Sequence, residues 1–100
     1  MTDIHPNVHE PLERLTHISK QLMPLDIDDR SPEAVAIAAD WVDTWSNFEK
    51  QLGLVYRWDP STYPDPLVEA VRLIDAIHYK MREPLDELYR LHIKQQQEQA

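Results

Sequence analysis

Cysteine is absent from this 100-residue chain, and glycine occurs once, at position 53. Without thiols there is neither a disulfide framework nor a thiolate zinc site, which suits a reducing compartment. A single glycine excludes the Gly-rich loops that cradle phosphates, because such loops need several residues with positive φ. The same scarcity argues against a sheet protein, whose tight hairpins depend on glycine. Long hydrophobic runs are missing too, and nothing approaches the ~20 apolar residues of a membrane span. The opening MTDIHPNVHE carries no apolar stretch of signal type. A cytoplasmic protein is therefore expected.

Positive charge is also in short supply. Ten Lys and Arg face 18 Asp and Glu, for a formal charge of −8. An acidic chain is repelled by nucleic acid and by anionic lipid, so neither is an expected direct partner. The acids are unevenly placed: Asp26, Asp28, Asp29, Glu33, Asp40 and Asp43 share their stretch with one base, Arg30.

What the chain does contain is proline, eight of them, and 42% apolar residues. That apolar fraction suffices for one small core with a thin margin, a situation in which oligomerisation is a common supplement. The prolines punctuate helices. Asn7 with Glu10 has the form of a capping box, and an alternative start places Pro11 at the first helical position. Leu12, Leu15, Ile18 and Leu22 then recur at helical spacing until Pro24 stops the element. Ser31-Pro32-Glu33 is the clearest helix start: a cap, a proline at the first position, an acid in the first turn. Val35, Ala38, Val42, Trp45 and Leu52 follow as a seam widened by Trp41 and Phe48, and Gly53 is expected to be its left-handed stop. The segment 54–58 reads as helix continuation or an apolar-anchored connection, and DPSTYPDP at 59–66 as a loop.

From Asp65-Pro66 onward, Leu67, Val71, Ile74, His78, Met81, Leu85, Leu88 and His92 alternate steps of four and three. Unbroken to Lys94, this helix would reach ~45 Å at ~1.5 Å per residue, longer than a compact domain of this size. Either Pro84 divides it, or it kinks and projects with a seam that needs a partner chain. HEPLERL at 9–15 and REPLDEL at 82–88 share a Glu-Pro-Leu frame. Both read as helix starts rather than as copies of a binding motif. The expectation is an all-α protein: a small antiparallel bundle of three to four helices, with the C-terminal helix long or kinked at Pro84. One domain spans 1–95, and 96–100 forms a frayed polar tail.

Chemistry-bearing patterns are sparse. His9, Glu13 and His17 could form a stripe of metal ligands on a continuous helix, but Pro6 and Pro11 argue against that helix and a second helix would have to complete the site. They stand as weak candidates, with no metal or cofactor expected. No nucleophile sits at a recognisable spacing from a base, so no enzyme is expected. Tyr56, Trp58 and Tyr63, beside the proline-rich loop, are the candidate apolar anchors for a protein partner, since interfaces concentrate their energy in aromatic residues. Asp28, Asp29, Glu33, Asp40 and Asp43 are the candidate acidic surface. The leading function is thus a non-catalytic protein–protein interaction module, an adaptor, regulator or inhibitor, with a homodimer through the 67–92 seam as one form. The alternative is an acidic mimic of nucleic acid that blocks a nucleic-acid-binding protein.

Overall fold

A computed structural model describes residues 3–99. Among the described residues there are four α-helices: α1 (Pro6–Leu22), α2 (Pro32–Tyr56), α3 (Asp65–Lys80) and α4 (Arg82–Gln99), with a 3-10 turn at Pro60–Thr62. No strand occurs among the described residues. The expected all-α bundle is observed, in its four-helix form.

The start of α1 differs from expectation. His5 is the cap, its imidazole Nδ1 accepting the Asn7 N–H at 3.1 Å while its carbonyl accepts the Val8 and His9 N–H groups. Pro6 occupies the first helical position, where a missing N–H is harmless. Asn7 lies inside the helix, so the Asn7–Glu10 box does not form. Pro11 is also inside, buried in the second turn. Only REPLDEL therefore opens a helix, whereas HEPLERL runs through the interior of one. The capping role needs an acceptor within reach of the first turn, and a histidine ring supplies it here. α1 ends before Pro24 as expected, with Leu22 as the last helical residue and the N–H of the capping Met23 on the Ser19 carbonyl.

Ser31 caps α2 through Oγ, which accepts the Ala34 N–H at 3.2 Å. The helix then runs 25 residues, through Gly53 and on to Tyr56. Gly53 is not left-handed. The left-handed residues are Arg57 (φ 54°) and Trp58 (φ 60°), four and five positions later. The reason is spatial: a Cβ on Gly53 would stand 2.6 to 2.8 Å from the Trp58 indole. Glycine is present for close approach, and the turn is made by residues that adopt αL with strain.

Pro84 divides the last helical region. Met81 departs from helical geometry (φ −99°, ψ 12°), and Pro84 lacks the N–H that would bond Lys80. The helix resumes at once, with the Leu85 N–H on the Met81 carbonyl at 2.9 Å. α4 continues through the glutamines to Gln99, residues that are good helix formers and include no breaker. Ala100 lies outside the described residues.

α2 packs against α1 and α4, and α1 against α3. Leu12, Leu15, Ile18 and Leu22 of α1 meet Val35, Ala38, Trp41, Phe48 and Leu52 of α2 in one cluster. Ala34, Ala38 and Ala39 are buried, as suits a close helix crossing, while Ala36 is exposed. The 67–92 seam has its cover inside the chain: Leu67, Ile74, Met81, Leu85 and Leu88 are buried, and Val71, His78 and His92 are half-buried. A second copy is not needed to shelter it. The helical path breaks at Met81, and the molecule measures 46 × 29 × 18 Å.

Candidate functional site

The end of α2 gathers the three aromatic candidates, and the structure gives them different tasks. Tyr56 and Tyr63 meet edge to face, with centroids 5.3 Å apart at 73°. The Tyr56 hydroxyl also accepts the His5 N–H at 3.0 Å, which fastens the segment before α1 to the end of α2. Burial, with help from the charges of Glu49, Asp59 and Asp75, pushes the Tyr63 phenol up and keeps it neutral. Both tyrosines are half-buried and committed within the chain. Trp58 is presented instead. It is 56% exposed, with part of its ring laid over Gly53, and Leu54 nearby in sequence is 66% exposed. Two consecutive left-handed residues hold it there, and such strained positions persist only where their surroundings enforce them. Below it the Asp59 carboxylate, held under the usual range by the Ser61 hydroxyl and N–H, pins the 3-10 turn.

The acidic candidates do not form a free row. Arg14 Nη2 donates to both Asp40 carboxylate oxygens, at 3.0 and 2.8 Å, and its Nε donates to Oδ1 at 3.3 Å; Asp40 also accepts the Thr44 hydroxyl at 3.4 Å. Asp43 accepts the Tyr89 hydroxyl of α4 at 2.9 Å. Asp29 accepts the Ser31 N–H at 2.8 Å, and this bond holds its carboxyl below the ordinary range. Asp28 and Glu33 are exposed and have no hydrogen bond or ion pair to their carboxylates among the described residues. Arg30 ties the same acidic loop down, bonding the Ile27 and Asp29 carbonyls and pairing with Glu87 of α4.

The continuous α1 does bring His9, Glu13 and His17 onto one face, contrary to the expectation that its prolines would break the stripe. His9 Nε2 stands 3.5 Å from Glu13 Oε1, both side chains largely exposed. Among the described residues no group of three His, Asp or Glu side chains is arranged to hold a metal ion.

A polar cluster that sequence spacing did not single out lies between α2 and α3. Trp41 Nε1 donates to His78 Nδ1 at 3.2 Å, and Trp45 stacks on the same imidazole with centroids 4.2 Å apart and planes 5° apart. The place of His78 on the apolar seam was legible in the sequence. That two tryptophans four apart would grip it was not, because the partner helix is set by the fold. Beside the clasp, burial raises the carboxyls of both Asp75 and Glu49, and Asp75 raises Glu49 further. The Trp45 indole N–H is buried without an acceptor.

The surface hollows are broad rather than deep. One, about 800 Å³, is a polar trough between α1 and α2 reaching Asn7, Glu10, Arg14, His17, Asp43 and Asn47. A second of about 720 Å³ lies beside the His78 cluster, lined in part by Val42, Leu85, Arg82 and Tyr89. No Ser or Thr hydroxyl donates to a histidine ring in either.

Fold and site together define a small acidic helical bundle that presents one strained aromatic corner. No family profile, curated protein or solved structure matches the chain. No helix among the described residues is long and apolar enough to cross a membrane.

Proposed function

We propose that this protein is a non-catalytic interaction module that binds another protein through the corner formed by Leu54, Arg57 and Trp58. The observation that carries the reading is a half-exposed tryptophan fixed by a strained turn over the helix's only glycine. A large side chain already ordered loses little rotamer freedom on binding, which is the condition under which aromatic anchors dominate an interface. Tyr56 and Tyr63 act in this reading as supports. The partner is a protein, the setting the cytoplasm, and neither nucleic acid nor membrane is contacted directly. The 67–92 seam takes no part, since the chain itself covers it.

The acidic-mimic alternative has less behind it. Asp29, Asp40 and Asp43 spend their carboxylates on internal bonds, which leaves Asp28 and Glu33 as the free members of the set.

The test is a pull-down with mass spectrometry, using the intact chain and its Trp58→Ala variant side by side, together with the solution mass of each. A protein captured by the intact chain and lost with Trp58→Ala, in a variant that keeps its helical circular dichroism, supports the assignment. Equal capture by both, or strict monomers that capture nothing, refutes it. Capture that falls between 50 and 300 mM salt and survives Trp58→Ala would favour the acidic surface instead.

A further inference from the structure

We propose that His78 is an acid-sensitive clasp that fastens α3 to α2 and lets go when its ring takes up a proton. The inference is independent of the corner at Trp58.

The hydrogen-bond direction fixes the ring's state. Trp41 is fully buried, and an indole nitrogen can only donate, so His78 Nδ1 must be the acceptor and bear no proton. The neutral ring's single proton is therefore on Nε2. Trp45 covers one face of the same ring. Its own indole N–H already lacks an acceptor, so of two neighbouring buried indole donors only the one on His78 is satisfied.

Protonation removes that acceptor. Nδ1–H would face Trp41 Nε1–H, two donors in opposition, and turning the ring over would set a carbon-bound hydrogen there instead. Either way a fully buried donor is orphaned. The charged groups around the clasp divide. Asp75, three residues earlier on α3, favours the imidazolium, as does stacking on Trp45 as a cation–π pair. Burial and Arg82 at the start of α4 oppose it, with burial the largest influence, so the ring is held below the usual histidine range. Several other charges nearby are engaged elsewhere. Asp86 of α4 pairs with Arg90 at 3.1 Å, Asp43 of α2 takes the Tyr89 hydroxyl, and Glu49 of α2 acts on Asp75. Glu83 of α4 lines the same hollow as His78 and Arg82.

The consequence is local because of how the bundle is built. α2 packs chiefly against α1 and α4, and α3 reaches the core through α1. The His78 clasp is the side-chain hydrogen bond joining α2 to α3 among the described residues. It lies three residues before the break at Met81, where the chain has already left helical geometry. Acid would loosen the C-terminal end of α3 at that elbow and uncover the two indoles.

The sign follows from linkage. A base whose folded-state pKa lies below its unfolded value contributes stability that is complete above ~6.5 and is lost as pH falls from there toward the folded pKa. Urea unfolding of the intact chain, His78→Gln and His78→Phe between pH 7.5 and 5.0 reads this out. The folding constant of the native sequence should fall, relative to either variant, by up to about tenfold per pH unit inside that window. Phenylalanine keeps a ring for Trp45 and glutamine keeps an acceptor for Trp41, and neither titrates there. Nitrogen-15 NMR of the intact chain gives a second readout that needs no variant. At pH 7.5, Nδ1 should have the shift of an unprotonated ring nitrogen and Nε2 that of a protonated one, changing only below ~6.5. Parallel pH curves for all three proteins, or a His78 ring that bears its neutral proton on Nδ1, overturn the clasp.

Discussion

Replacing Gly53 with alanine separates two opposing effects that meet at one atom. Inside an exposed helix the change stabilises by up to ~1 kcal/mol, because glycine has more backbone freedom to lose on folding. Here the new methyl would lie 2.6 Å from Trp58 Nε1 and within 2.8 Å of two ring carbons, closer than real contacts allow. The helix backbone is fixed by packing at Leu52 and Phe48, so the indole must leave. A tryptophan buries up to ~250 Å² of surface, and Trp58 remains 56% exposed, so roughly 100 Å² is covered. At ~25 cal/mol per Å² that cover contributes about 2.5 kcal/mol, an upper bound if the ring finds other contacts. The net expectation for Gly53→Ala is a loss of about 1–2 kcal/mol in urea unfolding, with a red shift in the Trp58 share of the fluorescence. In a Trp58→Ala background the obstacle is gone. There the same substitution should stabilise by up to ~1 kcal/mol. The reversal of sign between the two backgrounds is the diagnostic. If Gly53→Ala stabilises both equally, the indole does not rest on the helix, and the rigid-anchor argument fails with it.

Other perturbations have simpler expectations. Arg57→Gly should stabilise by about 1 kcal/mol, since glycine adopts φ 54° freely while a strained side-chain residue carries ~1–3 kcal/mol there, partly offset by the freer unfolded chain. Thermal melts that show a loss would mean that the Arg57 side chain holds the turn. Ser31→Ala deletes the acceptor for the Ala34 N–H and should lower stability by about 1 kcal/mol in chemical denaturation, with little change if water replaces the cap. Leu15→Ala empties a fully buried site and should cost ~2–5 kcal/mol; a value under 1 would place Leu15 outside the core. The Arg14–Asp40 pair, with side chains 60% and 36% exposed, should contribute under ~1 kcal/mol in a double-mutant cycle and less in high salt.

Much of the architecture was legible because short-range physics wrote it. Ser31-Pro32-Glu33 starts α2 where local capping chemistry says it should, and Pro24 and Pro84 end or divide helices for reasons internal to a few residues. The apolar spacing in α1 and in 67–88 identified the faces that are buried. The errors lie where local patterns have two meanings. Asn7–Glu10 had the form of a box, but Pro6 with the His5 ring satisfied the helix start two residues earlier. Gly53 resembled a stop because glycine is the usual left-handed cap, yet its lack of a side chain serves a residue five positions on. The site was read less completely than the fold. Of the three aromatics grouped beside the loop, Trp58 is exposed, whereas Tyr56 and Tyr63 are tied within the chain.

Composition and periodicity alone settled that this chain builds helices, where their apolar faces lie, and that no thiolate or Gly-rich phosphate chemistry is available to it. The three-dimensional packing alone decided which carboxylates are free, that two tryptophans of α2 close on a histidine of α3, and that the long C-terminal ridge is sheltered from within. Helix formation depends on neighbours a few residues apart, which a sequence displays directly. Pairing between groups 37 positions apart, such as Trp41 and His78, depends on crossing angles and on a kink, and these exist only once the helices have met.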